Sequence, residues 1–207
     1  MNVPEPLHRL GVMGGTFDPI HLGHLIAASE ALSRLDLDRM LFVPTGRPWQ
    51  KSRYSDAEDR FIMTSLAAAS HPRFAVSRME LDRTGPTYSA DTLEQLRLFH
   101  GPGTKLFFII GADAALKLGT WHGLERLRGL TEVVAVARPG FDLEALKPEA
   151  HWPKVGVMQM PGIDISSSDI RARVSAGRPI DYLVPAEVMA YIRGHGLYVT
   201  DPGRELA

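Results

Sequence analysis

Gly14-Gly15-Thr16-Phe17-Asp18-Pro19-Ile20-His21-Leu22-Gly23-His24 is the stretch that decides the fold, and it lies between two apolar segments. Before it, residues 10–13 form a short apolar run that predicts a buried strand. After it, residues 25–32 carry apolar side chains at helical spacing. Glycines at such a strand-to-helix turn let the backbone approach a ligand closely, and the helix N-terminus offers N–H groups to a phosphate. The turn therefore predicts an α/β fold with a phosphate-binding site.

Two histidines follow the glycines. His21 and His24 are three residues apart, so on a helix they share one face at its first turn. Beside a phosphate-binding turn, this pair indicates a nucleotide site that stabilises charge on phosphoryl oxygens. Two alternatives stay open: a half-buried helix face, or two ligands of a zinc hydrolase. The zinc site would need a third ligand, which the sequence does not nominate.

Length and composition exclude several classes of protein. A chain of 207 residues fits one medium domain. Its 23 basic and 24 acidic residues give a net charge of −1, so no overall field attracts nucleic acid. The absence of cysteine excludes disulfides and fits a cytoplasmic location. No signal peptide or membrane-spanning run is visible, so we expect a soluble protein without a membrane partner.

The remaining pattern alternates strands and helices. Buried strands are predicted at residues 10–13, 40–43, 74–76, 105–110, 131–137 and 155–160, and helices at 56–69, 91–99 and 186–193. In the helix at 56–69, Asp56 is the expected N-cap, and Phe61, Ile62, Leu66 and Ala69 form the expected apolar stripe. A Thr/Ser run is expected to cap the helix at 91–99. This order predicts a doubly wound parallel sheet with its ligand crevice at the carboxyl ends of the strands.

The first motif also carries a family resemblance. GGTFDPIHLGH resembles the signature of the nucleotidylyltransferases, whose HxGH motif binds and activates ATP. The resemblance implies a Rossmann-like nucleotidylyltransferase fold: a single domain over residues 1–207, with a C-terminal helical portion at roughly 165–199 packed on it. It also implies that ATP contacts Gly14, Gly15, Thr16, Phe17, His21 and His24. The sequence contains neither G-x-G-x-x-G nor G-x-x-x-x-G-K-[ST], which disfavours a dehydrogenase-type site and a Walker-type ATPase.

Three further elements resemble phosphate-binding parts of this family. In the loop at residues 44–51, Lys51 matches a basic residue that reaches the triphosphate. ISSSDIR at residues 165–171 resembles the second signature, ISSTxIR, in which Ser167, Ser168 and Arg171 hold phosphates; Ser168 stands where threonine is usual. An ordinary serine N-cap is the alternative. Arg138 follows a predicted strand, where it either meets phosphate or pairs with an acid.

Two elements point to the second substrate. TYSADTL at residues 87–93 resembles the (S/T)Y(T/S)xDTL element of bacterial nicotinate-nucleotide adenylyltransferases, in which Thr87 and Tyr88 would receive a carboxylate. The element from Gly111 to Trp121 resembles GxDxxxxLxxW: Asp113 would bind a ribose hydroxyl and Trp121 would stack on a pyridine ring. The alternatives are a helix N-cap for Asp113 and a core or rim position for Trp121.

Together these resemblances imply adenylyl transfer from ATP to nicotinate mononucleotide, giving deamido-NAD and pyrophosphate. They assign catalysis to His21, His24, Lys51 and Arg171, with Mg²⁺ bridging the phosphates and no resident metal site. A nicotinamide mononucleotide adenylyltransferase is the alternative within the superfamily, and a non-catalytic nucleotide sensor is the alternative outside it. The oligomeric state is not predicted.

Overall fold

A computed structural model describes residues 7–47, 54–138, 140–142 and 152–199. Its strands form one parallel sheet, which confirms the predicted strands to within one or two residues at most ends. Their bounds are β1 Arg9–Gly15, β2 Arg39–Pro44, β3 Phe74–Val76, β4 Lys105–Gly111, β5 Thr131–Ala137 and β6 Val155–Gln159.

The strand order is β3-β2-β1-β4-β5-β6. The chain therefore winds outward from β1 through β2 to β3, then returns to the other side of β1 with β4. A doubly wound sheet opens a crevice where its strand order reverses, at the carboxyl ends of the strands on either side. Here that point lies between Gly15 at the end of β1 and Gly111 at the end of β4. The predicted fold class is confirmed.

Helices cover both faces of the sheet. Their bounds are α1 Leu22–Arg34, α2 Ala57–Ala68, α3 Ser89–His100, α4 Ala112–Ala115, α5 Leu124–Leu127, α6 Ser167–Ser175 and α7 Ala186–Gly194, with a 3₁₀ turn at Leu118–Thr120. β4 separates two apolar clusters, because successive side chains of a strand point to opposite faces. Phe107 and Ile109 pack with α1, α2, α6 and α7, whereas Phe108 and Ile110 pack with α3 and α5.

Two helix predictions need correction, although the Asp56 cap is confirmed by its bond from the Glu58 N–H (2.8 Å). The predicted stripe of α2 is wrong, since its buried residues are Arg60, Met63, Thr64, Ala67 and Ala68. The stripe was chosen by apolar residue type alone, whereas the buried face of α2 includes the polar side chains of Arg60 and Thr64. The Thr/Ser cap of α3 is also wrong: Tyr88 is the N-cap and has no side-chain capping bond. The segment at residues 141–154, whose charged and proline-punctuated sequence predicts a helix and a connecting loop, lies mostly outside the described residues.

The C-terminal helices pack beside α1 and α2. Ile170 of α6 and Val188 and Ile192 of α7 are buried in the cluster that contains α1. The Leu22 N–H at the start of α1 donates to the Leu183 carbonyl oxygen (2.9 Å). Distant parts of the chain therefore meet at the helix that follows the first motif. Within the described ranges, no helix has the length and apolar character of a membrane span.

Candidate active site

Two cavities adjoin at the carboxyl ends of β1 and β4, and both are lined by Gly14, Ile110 and Gly111. The β2-side cavity, of about 270 Å³, is lined further by Gly15, Thr16, Thr45, Glu80, Thr87, Ser89, Phe108, Ala114, Trp121 and His122. The β5-side cavity, of about 480 Å³, has polar lining residues that include His21, His24, Asp113, Arg138, Ser166 and Ser167. The arrangement offers two adjacent binding volumes at the crevice that the sheet topology predicts.

The turn after β1 is shaped by Phe17. This residue has φ of 50°, and its buried ring contacts the rings of His24 (centroids 5.1 Å apart) and Phe42 (5.9 Å) edge-on. A Cβ on Gly15 would lie 2.9 Å from the Phe17 ring, so glycine is needed there for packing within the turn. Phe17 was expected to contact ATP. Its side chain points into the core and packs against the ring of His24.

His21 and His24 lie side by side, but only His24 is within the helix. His21 is the N-cap of α1, and the two rings stack with centroids 3.7 Å apart and planes at 25°. The His21 backbone N–H donates to His24 Nδ1 (3.2 Å). A neutral imidazole that accepts at Nδ1 carries its proton on Nε2. The capping contact therefore makes His24 Nε2 a hydrogen-bond donor.

His21 is neutral at pH 7. Its side chain is buried, and burial together with the positive charge of Arg138 lowers its pKa to about 4. Burial is the larger of the two causes. It lowers the pKa because removing an imidazolium from water costs more free energy than removing the neutral ring. His21 thus serves as a neutral hydrogen-bonding group in the ligand-free protein.

Arg138 and the start of α6 border the β5-side cavity. Arg138 pairs with Asp164, which is one of the two roles expected for it, and both side chains are exposed. Ser166 is the N-cap of α6, accepting from the Asp169 N–H (3.1 Å), so the capping serine precedes the two assigned to phosphate. Ser167 Oγ donates to the Pro19 carbonyl oxygen (2.9 Å), which ties α6 to the first motif.

Arg171 and Ser168 lie next to the cavities rather than among their lining residues. Arg171 Nη1 donates to the Asp18 carbonyl oxygen (2.7 Å), and Nη2 donates to Ser168 Oγ (3.3 Å). Asp18 also accepts from the Tyr198 hydroxyl (2.7 Å), so its loop is held by residues near the far end of the chain. Lys51, the fourth expected catalytic residue, lies outside the described residues.

The four residues assigned to the second substrate separate into two places. Thr87, which is 4% exposed, and Trp121 line the β2-side cavity. Tyr88, the N-cap of α3, has its ring 4.7 Å from that of His122, which lines the same cavity. Asp113 is exposed and lines the β5-side cavity; the N-cap of α4 is Gly111, so the capping alternative for Asp113 is wrong.

Sequence reasoning missed Glu80 and Arg60. Glu80 is buried in the wall of the β2-side cavity, where its carboxylate accepts from Thr92 Oγ1 (2.7 Å) and burial raises its pKa. The available signal in the sequence was the position of Glu80 between two apolar residues, Met79 and Leu81, just after β3. For Arg60, the signal was its helical spacing from Met63, Thr64 and Ala67.

Within the described ranges, no group of three or more histidine and acidic side chains is arranged to hold a metal ion. His24 Nδ1 accepts from a backbone N–H, so that nitrogen is already engaged.

Comparisons with known proteins identify the family of the chain. The profile of a family described as cytidylyltransferase-like matches residues 12–173. A probable nicotinate-nucleotide adenylyltransferase of Corynebacterium kroppenstedtii is 51% identical over 92% of this chain and 91% of the relative. Another of the same description, from Clavibacter michiganensis subsp. michiganensis, is 52% identical over 93% of this chain and 95% of the relative.

Solved structures share the fold at low sequence identity. A Plasmodium falciparum nicotinic acid mononucleotide adenylyltransferase complexed with NaAD has a TM-score of 0.75 and 21% identity, covering 92% of this chain and 97% of that one. A structure from Vibrio parahaemolyticus, described as a candidate nicotinate-nucleotide adenylyltransferase, has a TM-score of 0.67 and 20% identity. The match covers 94% of this chain and 98% of that one.

Proposed function

The chain belongs to the cytidylyltransferase-like family and, within it, to the nicotinate-nucleotide adenylyltransferases, and from this premise we propose how its residues act. The enzyme transfers the adenylyl group of ATP to nicotinate mononucleotide, producing deamido-NAD and pyrophosphate. The observation that carries the mechanism is the meeting of two cavities at Gly14, at the reversal point of the sheet.

ATP is assigned to the β5-side cavity. His24 lines it at the N-terminus of α1, and Arg138 and Ser167 line it just after β5 and at the start of α6, so donors and a cation reach a triphosphate from separate elements. Asp113 lines the same cavity, which supports a bond to the ribose of ATP rather than to that of the acceptor.

Nicotinate mononucleotide is assigned to the β2-side cavity. Trp121 offers a face for the pyridine ring, and Thr87 lies just before α3. The first N–H groups of a helix favour a carboxylate, so the α3 N-terminus at Tyr88 and Ser89 supports the acid over the amide. Gly14, shared by both cavities, is then the point where the two phosphates meet.

The reaction needs no nucleophile or general base from the protein. An oxygen of the mononucleotide phosphate, already an anion, attacks the α-phosphorus of ATP in line and forms the new P–O bond. The bond from the α-phosphorus to the bridging oxygen breaks, and its electron pair leaves with pyrophosphate. Catalysis consists of holding the two substrates in line and of neutralising charge on the phosphoryl oxygens.

His24 is proposed to donate from Nε2 to an α-phosphate oxygen, since its Nδ1 is engaged with the His21 N–H. His21 is proposed to hydrogen-bond the neighbouring phosphate oxygens. Lys51, Ser167, Ser168 and Arg171 are proposed to hold the β- and γ-phosphates. The bonds of Arg171 to Asp18 and Ser168 occupy two of the five N–H groups of its guanidinium.

Mg²⁺ is proposed to enter with the triphosphate, and it would supply positive charge that offsets the negative charge of the phosphates. Removing it with a chelator is then expected to abolish turnover, and restoring Mg²⁺ to recover it. A cytoplasmic location is also proposed, on the absence of cysteine.

The test is pyrophosphate release from the purified protein with ATP, Mg²⁺ and either the acid or the amide mononucleotide. We expect a higher kcat/KM with nicotinate mononucleotide. A preference for the amide would overturn the substrate assignment. ATP binding without pyrophosphate release from either mononucleotide would overturn the enzymatic function and indicate a nucleotide sensor.

A further inference from the structure

Among the fully buried side chains of the described residues, that of Arg60 is the largest, and 0% of its surface is exposed. Its hydrogen-bond acceptors are four backbone carbonyl oxygens. Nη1 donates to Thr16 (2.9 Å) and Thr45 (2.7 Å), Nη2 donates to Gly46 (3.2 Å), and Nε donates to Ser55 (3.1 Å). One guanidinium thus joins the loop after β1, the loop after β2 and the residue that precedes α2.

The burial of the Arg60 guanidinium costs free energy, so a contribution to stability does not by itself explain this arrangement. Burial lowers the pKa of Arg60, opposed by the negative charge of Asp18, so the protein holds a cation where water is excluded. Buried charges are often replaceable by apolar side chains without loss of stability. A planar group with five donors, however, fixes several carbonyls at set distances in a way that no apolar side chain does.

Two of the four residues whose carbonyls Arg60 holds line one and the same cavity. Thr16 and Thr45 line the β2-side cavity, and none of the four acceptor residues is among the described residues that line the β5-side cavity. The two threonines follow adjacent parallel strands, so their separation sets the width of that wall.

A second contact braces the same loop from the other side. A Cβ on Gly46 would lie 2.2 Å from the Glu80 carbonyl oxygen, so the two backbones touch without room for a side chain. The Glu80 carboxylate accepts from Thr92 Oγ1 on α3 (2.7 Å). The loop after β2 is therefore clamped between Arg60 of α2 and Glu80, which is itself anchored to α3.

We propose that Arg60 is a positioning residue for the acceptor mononucleotide. Its guanidinium fixes the spacing of the loops after β1 and β2, and that spacing sets how the mononucleotide is held in the β2-side cavity. Arg60 acts through these carbonyls and touches neither substrate. The inference rests on the assignment of that cavity to nicotinate mononucleotide.

The test uses two substitutions, Arg60→Met and Arg60→Lys. Because misplacement by about 1 Å can cost on the order of a hundredfold in rate, we expect KM for nicotinate mononucleotide to rise on the order of tenfold or more. KM for ATP is expected to stay within about twofold, because groups that are far apart and share no partners affect one another little. Calorimetric titration of the mononucleotide in the absence of ATP is expected to show the same loss of affinity.

Lysine separates positioning from charge. It keeps the positive charge but has one nitrogen in place of three, so it cannot span the same carbonyls. We expect Arg60→Lys to resemble Arg60→Met. Restoration of wild-type KM by lysine would overturn the proposal in favour of a field effect.

Arg97 supplies a matched control. Its guanidinium also donates to backbone carbonyls, including that of Leu130 (2.8 Å), but it lies near the amino ends of β4 and β5 and lines neither cavity. Arg97→Met is expected to lower Tm without raising KM for the mononucleotide.

Three results would overturn the inference: an unchanged acceptor KM in both Arg60 variants, an equal rise in both KM values, or an equal acceptor effect in Arg97→Met. An inactive wild-type protein would instead overturn the proposed function. The two failures are therefore distinguishable.

Discussion

The two cavities differ in how their walls are built. Both cavities have buried lining residues, but the β2-side cavity includes a buried carboxyl group, Glu80, beside the buried Thr87 and Phe108. At the β5-side cavity, Asp113 and Arg138 are exposed. The comparison indicates that the β2-side cavity holds its acidic side chain buried, whereas the β5-side cavity presents its acidic and basic side chains, Asp113 and Arg138, to solvent.

Substrate chemistry gives a reason for the difference. An acceptor must be selected among similar mononucleotides, and selection by hydrogen bonds requires donors and acceptors held in fixed positions. A triphosphate requires charge neutralisation, which long side chains from several elements supply. Three substitutions test this comparison.

The largest effect is expected from His24, which lines the β5-side cavity proposed for ATP. His24→Ala is expected to lower kcat on the order of 10²–10³-fold, the loss typical for a donor to a developing charge. His24→Gln is the control for folding, because glutamine at the third helical position accepts from the N-cap N–H in a capping box. The alanine variant is expected to lose turnover, and the glutamine variant, whose amide can still donate a hydrogen bond, to lose less and to keep its Tm. Wild-type turnover in His24→Ala would exclude the proposed role.

The next largest effect is expected on the pH dependence of the free energy of unfolding, through His21. Its pKa is about 4 in the folded protein against 6.5 for the ordinary group, so the unfolded chain binds the proton more tightly. The free energy of unfolding therefore falls as pH decreases below about 6.5 and stops falling from this source below about 4. By pH 5 the loss from His21 amounts to about 2 kcal/mol.

His21→Gln removes this contribution. Urea unfolding at pH 7 and pH 5 is expected to show a smaller loss of stability for the variant than for the wild type. Other titrating groups act on both proteins alike and cancel in the difference. Parallel stability losses in the two proteins would show that His21 is not held neutral by burial.

The smallest effect is expected at Trp121. This ring lines the β2-side cavity and meets Phe108 edge-on with centroids 6.0 Å apart. Trp121→Ala is expected to raise KM for nicotinate mononucleotide by roughly tenfold or less, as for the loss of one aromatic contact. Trp121→Phe should retain most of the affinity. Steady-state kinetics with each substrate varied in turn would measure both, and a rise in KM for ATP alone would reverse the cavity assignment.

Much of the site is local in sequence and could be predicted for that reason. The motif at residues 14–24 specifies a turn, a helix start and two neighbouring histidines within a few residues of one another. Thr87 and Trp121 each follow a recognisable element, and both line a cavity. The separation of Asp113 from them, into the β5-side cavity, was not predictable, because sequence order does not tell which side of β4 a residue faces after the strand ends.

The sequence by itself determined the alternation of strands and helices, hence the parallel sheet and the position of its crevice, because apolar periodicity and turn residues act over short stretches. Only the tertiary structure decided that Arg60 is buried between two loops, that Asp18 bonds Tyr198, and that two cavities meet at Gly14. These features join residues far apart along the chain, and their positions depend on how the packed helices and sheet close around one another.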